Sequence, residues 1–241
     1  MKTNKRGFTL AEILIALGIL AIGMSMVAAI FPAAMVLNRQ SQNSTLGTII
    51  CENGLVMTEM VLTADLVDSE KLEIYADRNH GDLLSATQQL YPVDPENLDK
   101  VRTGFVVMAR QIRGDKVPPG VFQIITVAYR VRKPGNTAEL FATNCTVNGR
   151  NVSGATKLRI GSPLISRKNG GYAYIDSINQ SGTAGTLDIK SGQTRDMPGE
   201  NGYYVLIEKE NGETINRRSP AIGIMSKMTG LNLNTAQPVA E

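Results

Sequence analysis

Residues 8–37 read FTLAEILIALGILAIGMSMVAAIFPAAMVL and decide the architecture of this 241-residue chain. The stretch holds one ionisable side chain, Glu12, and two other polar residues, Thr9 and Ser25. As a helix it would be about 45 Å long at ~1.5 Å per residue. A bilayer core takes about 20 residues, so the stretch predicts a transmembrane helix that continues beyond the bilayer. Residues 1–7, MKTNKRG, form a short basic leader with Lys2, Lys5 and Arg6 and no acid. Positive charge is retained on the cytoplasmic side, so the N-terminus is expected there, with the remainder exported. A conventional secretory signal is one rival, with Val27-Ala28-Ala29 as a small-residue cleavage site. Its apolar core would be ~7–15 residues, half of what is present. A plain anchor is the other rival, and it leaves a carboxylate in the membrane unexplained.

Lys5-Arg6-Gly7-Phe8-Thr9-Leu10-Ala11-Glu12 resembles the class III signal of type IV pilins and type II secretion pseudopilins. The resemblance implies that a prepilin peptidase cuts after Gly7 and N-methylates Phe8. It also implies that Glu12 is the acidic residue used in assembly, where it can pair with the Phe8 ammonium of a neighbouring subunit. Ala11 departs from the larger apolar residue of many members and touches none of these three positions. The alternative reading of Glu12 is snorkelling to the headgroups. Further implied partners are other pilin or pseudopilin subunits and the inner membrane. After assembly the chain would stand in a pilus or pseudopilus with its headgroup exported to the periplasm. The run Ala16–Gly23 also looks like the anchor of minor pilins of the type IV pilus modification kind.

Along the same helix Ala21, Ser25, Ala29 and Ala33 recur every four residues. They share one face, where small side chains permit close helix approach; ordinary membrane-helix composition explains them as readily. Pro32 removes a backbone donor and is expected to kink or loosen the helix. From 38 to about 67 the apolar residues Leu46, Ile49, Ile50, Met57, Met60 and Val61 come at three- and four-residue steps. That predicts an amphipathic continuation with one buried face. Residues 68–100 carry mixed signals and read as an irregular connection.

From 101 to 225 the pattern turns to β. Strand candidates are 101–108, 121–132, 140–147, 155–160, 172–178, 186–189, 203–208 and 214–222, several separated by Asn-Gly pairs at 148–149, 169–170, 201–202 and 211–212. Asn-Gly suits two-residue hairpin turns. The expected fold is therefore α+β, a long N-terminal helix packed on a C-terminal antiparallel sheet, which is also what the pilin resemblance implies. Residues 226–241 read as a polar tail.

Charge and motifs narrow the function. The net charge of +3, from 25 basic and 22 acidic residues, resides in the leader, so the mature chain would be neutral. No nucleic-acid partner is expected, and the small clusters Arg130/Arg132/Lys133 and Arg217/Arg218 read as solvated faces. The one histidine, His80, stands in a loop-like context. No phosphate loop, nucleophile elbow or Cys-x-x-Cys occurs, so neither enzymatic activity nor a cofactor or metal is expected. Asp94, Glu96, Asn97 and Asp99 offer oxygen ligands, but a polar turn is the simpler reading. Cys51 and Cys145 are the only cysteines, and an oxidising compartment would permit one bridge between them, although buried free thiols are also common. Three functions remain: a structural filament subunit, an anchored or tip-borne adhesin-like binding module, and a tethered enzyme with no supporting constellation. Removal of the leader leaves a headgroup large for a subunit packed in thousands of copies. This favours a minor subunit over a bulky major one.

Overall fold

The computed structural model describes residues 9–61, 73–74, 89–92, 100–114, 117–118, 120–134, 136–188, 197, 200–210, 212–214 and 219–230. One helix, α1 (Leu10–Val61), runs through Pro32 without interruption. The strands are β1 (Glu73–Ile74), β2 (Leu90–Tyr91), β3 (Thr103–Gln111), β4 (Val121–Arg130), β5 (Thr137–Asn148), β6 (Asn151–Ser153), β7 (Pro163–Ser166), β8 (Tyr172–Ile178), β9 (Gly185–Asp188), β10 (Glu200–Glu210), β11 (Glu213–Thr214) and β12 (Ala221–Gly230). The chain divides into two units, Met1–Thr45 and Leu46–Glu241. In the first, the described residues are Thr9 and helix, and the apolar side chains from Leu10 to Leu37 are exposed.

The second unit is built in layers. The helical residues Ile50, Cys51 and Leu55 form one core with Phe105, Val107, Ala109, Phe122, Ile124 and Ala128. The alternate residues of the same strands, Val106, Met108, Ile125, Val127 and Tyr129, face the other way and pack on Leu140, Ile165, Tyr204 and Leu206. The sheet β1-β3-β4-β12, with β2 also on β3, is thus buried on both faces over β3 and β4. Successive strand residues point to opposite faces, so burial of both requires an unbroken apolar run, as in Phe105–Ala109.

The other sheet is not the simple pilin-like sheet expected from the sequence. Strands β10-β5-β6-β9-β8-β7 pair in that order, and β7 pairs back onto β10, closing a six-stranded barrel. β10 makes this possible by pairing on both edges, with β5 over Glu200–Lys209 and with β7 over Tyr203–Val205. Closure removes the unpaired edges that an open sheet leaves. Tyr203, Val205 and Ile207 point into the barrel with Cys145, Leu158, Leu164, Ile175 and Leu187, whereas Tyr204 and Leu206 point out to the open sheet.

Several local expectations need correction. Residues 155–160 are not a strand: their amides bond outward, Ala155 N–H to Thr183 O and Leu158 N–H to Gly182 O, and Lys157 has φ 59°. Pro163–Ser166 forms a strand that the sequence reading omitted. The run 214–222 is divided between β11 and β12, and residues 226–230, read as tail, complete β12 by pairing with β4. Asn201-Gly202 lies inside β10 rather than in a turn. At Asn148-Gly149 the two-residue loop is shifted by one, because Asn148 pairs with Asn151; Gly149 supplies the positive φ of 58°. Asn169-Gly170 does lie in the β7–β8 connection. Residues 94–99, with the oxygen-bearing Asp94, Glu96, Asn97 and Asp99, and likewise His80 and residues 231–241, lie outside the described residues.

Two glycines let α1 approach the open sheet. A Cβ on Gly47 would stand 2.4 Å from the Ile222 carbonyl oxygen, and one on Gly54 would stand 2.8 Å from the Phe105 ring. A Gly→Ala change inside a helix ordinarily gains about 1 kcal/mol. At Gly47 the obstacle is backbone, which cannot rotate away, and overpacking of this kind costs about 1–3 kcal/mol. Gly47→Ala is therefore expected to lower the thermal unfolding midpoint of the detergent-solubilised chain, followed by circular dichroism. A raised midpoint would contradict the close approach.

Candidate functional site

The start of α1 is the site on which the sequence concentrates chemistry, and its geometry is local. The Thr9 amide and hydroxyl both donate to Glu12 Oε2, at 2.8 and 2.9 Å. The Glu12 amide donates back to Thr9 Oγ1 at 3.3 Å. This is a capping box, in which Thr9 is the N-cap and Glu12 the N3 residue. It satisfies two of the amides that a helix start leaves without partners. The sequence signal, Thr-x-x-Glu before an apolar run, was present, but the reading of Glu12 as a partner for another subunit did not use it. Gly7 and Phe8, the expected cleavage and methylation positions, lie outside the described residues.

Beyond Glu12 the helix offers little polarity. Ser25 donates its hydroxyl to the Ile22 carbonyl at 2.8 Å, so it enters the membrane already satisfied. Ala21, Ser25, Ala29 and Ala33 are all exposed. A shallow apolar groove lies on another side of the helix, over Gly23 between Leu20, Met24, Val27 and Phe31. Among the described residues α1 is the one helix long and apolar enough to cross a membrane, and none of its most apolar window is buried.

The cysteines are not brought together. Cys51 belongs to the core between helix and open sheet, whereas Cys145 belongs to the barrel interior. Both are free thiols, which corrects the bridge that the cysteine count allowed. A strand-borne cysteine can face either side of its sheet; Cys145 turns inward with the alternation of β5. Burial pushes the Cys51 thiol up to about 11 and the Cys145 thiol up to about 12. Among the described residues no group of three or more His, Cys, Asp or Glu is placed to hold a metal.

A long exposed apolar helix with a carboxylate in its first turn defines a membrane-anchoring N-terminus. Residues 2–28 match the family described as the prokaryotic N-terminal methylation motif. The chain thus carries a prepilin-type N-terminus, which supports its placement with the type IV pilins and pseudopilins. No curated protein and no solved structure matches the chain.

Thiolates rather than thiols are alkylated, and both sulfurs are buried. Native protein at pH 8 is therefore expected to resist iodoacetamide, and protein unfolded without reductant is expected to take up two adducts by mass. Rapid labelling of the native chain would contradict the burial, and absence of adducts after unfolding would show a bridge.

Proposed function

We propose that the chain is a prepilin-like structural subunit, cut after Gly7 and N-methylated at Phe8 by a prepilin peptidase. It is then assembled with other pilins or pseudopilins from the inner membrane into a type IV pilus or a type II secretion pseudopilus. The observation that carries this reading is the N-terminal methylation motif on residues 2–28, continuous with a helix whose apolar surface the first unit leaves exposed. The motif favours a structural subunit over an enzyme. The basic leader sets the N-terminus in the cytoplasm and the headgroup across the membrane.

The headgroup supports a minor subunit. It combines an open sheet with a six-stranded barrel, and a bulky headgroup suits few copies at a tip or at initiation better than dense lateral packing. An anchored or tip-borne binding module is the second reading, favoured by an arginine-rimmed cleft in the second unit, lined by Arg102, Arg130, Arg132, Glu208 and Ser219.

Sheared filaments from a host with a matching peptidase test both parts. The chain is expected to begin at N-methylated Phe8 and to contribute a small share of filament peptide mass. An intact Met1 would refute the processing, and dominance of the filament mass would refute the minor role.

A further inference from the structure

Among the described residues Arg159 is the one buried basic side chain, at 8% exposure. It stands in the irregular segment between β6 and β7, whose backbone is fixed on both sides of it. Leu158 N–H donates to Gly182 O at 3.0 Å, and Gly161 N–H donates to Ile175 O at 2.7 Å. The Arg159 guanidinium makes one hydrogen bond, from Nη1 to the carbonyl of the adjacent Leu158 at 2.7 Å. Its Nε is buried and donates to nothing. Among the described residues no carboxylate pairs with it. Gly182, in the β8–β9 turn, stands against the same group: a Cβ there would lie 3.4 Å from Nη1 and 3.3 Å from the Leu158 carbonyl oxygen. The turn itself is thin. Gly182 is buried, whereas Asn179, Gln180, Ser181 and Thr183 are exposed. Asn179 Oδ1 holds it closed by accepting from the Thr183 and Ala184 amides at 2.9 and 3.2 Å.

An arginine keeps its proton inside a protein, so burial lowers the pKa of Arg159 without neutralising it. A buried charge is ordinarily paired, and a buried N–H ordinarily has an acceptor. Arg159 has neither a countercharge nor an acceptor for Nε. Arg167 shows the contrast. Its Nε also lacks an acceptor, but the residue is half-buried and its guanidinium carbon lies 5.2 Å from the Tyr204 ring centroid, whose π face partly compensates a cation. At Arg159 the Leu158 bond leaves over the edge formed by Nε and Nη2. Two parallel N–H groups of such an edge match the two oxygens of a carboxylate. One cation calls for a monoanion, since a phosphate dianion would replace one uncompensated charge by another. The close backbone of Gly182 admits only a slender end, which a carboxylate on an unbranched stem provides.

We propose that Arg159 anchors a site for a monocarboxylate, presented by a small free acid or by an acidic side chain of another protein. The carboxylate accepts from Nε and Nη2 and supplies the missing countercharge. The site is independent of leader processing and of filament assembly.

Thermal unfolding of the full detergent-solubilised chain tests this in sodium chloride, sodium acetate and the sodium salt of N-acetyl-L-glutamic acid α-amide, at equal sodium concentration. A ligand that binds only the folded state stabilises it by mass action. Both carboxylates are expected to raise the midpoint above that in chloride once they reach the millimolar range. Equal responses identify a small acid; a stronger response to the glutamyl amide identifies a protein side chain. Arg159→Met is expected to abolish the gain, and a gain that persists in this variant is a general salt effect that overturns the proposal. A second reading needs no variant. In the parent chain labelled with ¹⁵N at arginine Nε, acetate is expected to shift one Nε–H resonance to saturation over the same concentrations. Absence of a midpoint gain in the parent chain, or of a saturable Nε–H shift, would likewise overturn it.

Discussion

A carboxylate at the head of an uncovered apolar helix is the constraint on which the account of this protein depends. Residues 10–37 expose large apolar side chains along the helix, a surface that water disfavours by about 25 cal/mol per Å². Lipid or neighbouring helices must cover it. The same cover is hostile to Glu12, because an ion moved into a low dielectric needs compensation. The capping box with Thr9 supplies hydrogen bonds but no countercharge. It therefore makes Glu12 tolerable near the membrane surface without removing the electrostatic demand for a cation. A free α-amino group created beside the helix, at Phe8 of a neighbouring subunit, would meet that demand. In the proposed function, the cap and the intermolecular pair would be successive uses of one side chain.

In the second unit the controlling feature is the double burial of the open sheet. Residues of β3 and β4 that alternate along the chain serve two different cores, one with the helix and one with the barrel. The helix gains its contact at Gly47 and Gly54, where missing side chains let its backbone approach the sheet. An ion pair between Glu59 and Lys227 at 2.7 Å joins the same helix to β12; as a half-exposed pair it contributes at most about 1 kcal/mol. Apolar packing therefore holds these layers together.

Much of this was legible in the sequence because it depends on local pattern. The membrane helix follows from an apolar run with a single ionisable residue. The amphipathic continuation was legible only in part: Ile50 lies in the core with Leu46 and Met57 against it, whereas Ile49, Met60 and Val61 are exposed and the buried face is completed by Gly47, Cys51, Gly54 and Leu55. Strands with strong β-formers, such as Tyr172–Ile178, were readable to their ends. Barrel closure was not, because it depends on β10 pairing with β7, a four-residue strand that begins with proline and gives little periodic signal. The irregular segment 155–160 resembles a strand in composition, yet its backbone partners come from the distant Gly182 and Thr183. The arginine cleft was invisible for the same reason. Arg130 and Arg132 looked like a solvated cluster until the fold placed Arg102 and Glu208 beside them. The Thr9 cap depends only on the local Thr-x-x-Glu spacing and needs no tertiary partner.

The most direct test of the central constraint is the fate of Glu12→Ala in a host that assembles filaments. The variant keeps Thr9 as N-cap and loses only the hydrogen bonds that the Glu12 carboxylate accepts from it, little against the apolar transfer of some 30 residues, so membrane insertion and leader cleavage should proceed normally. Its incorporation, measured as the ratio of chain in sheared filaments to chain in membranes, is expected to fall well below that of the parent chain. Normal incorporation would contradict the account and leave Glu12 with the capping role alone.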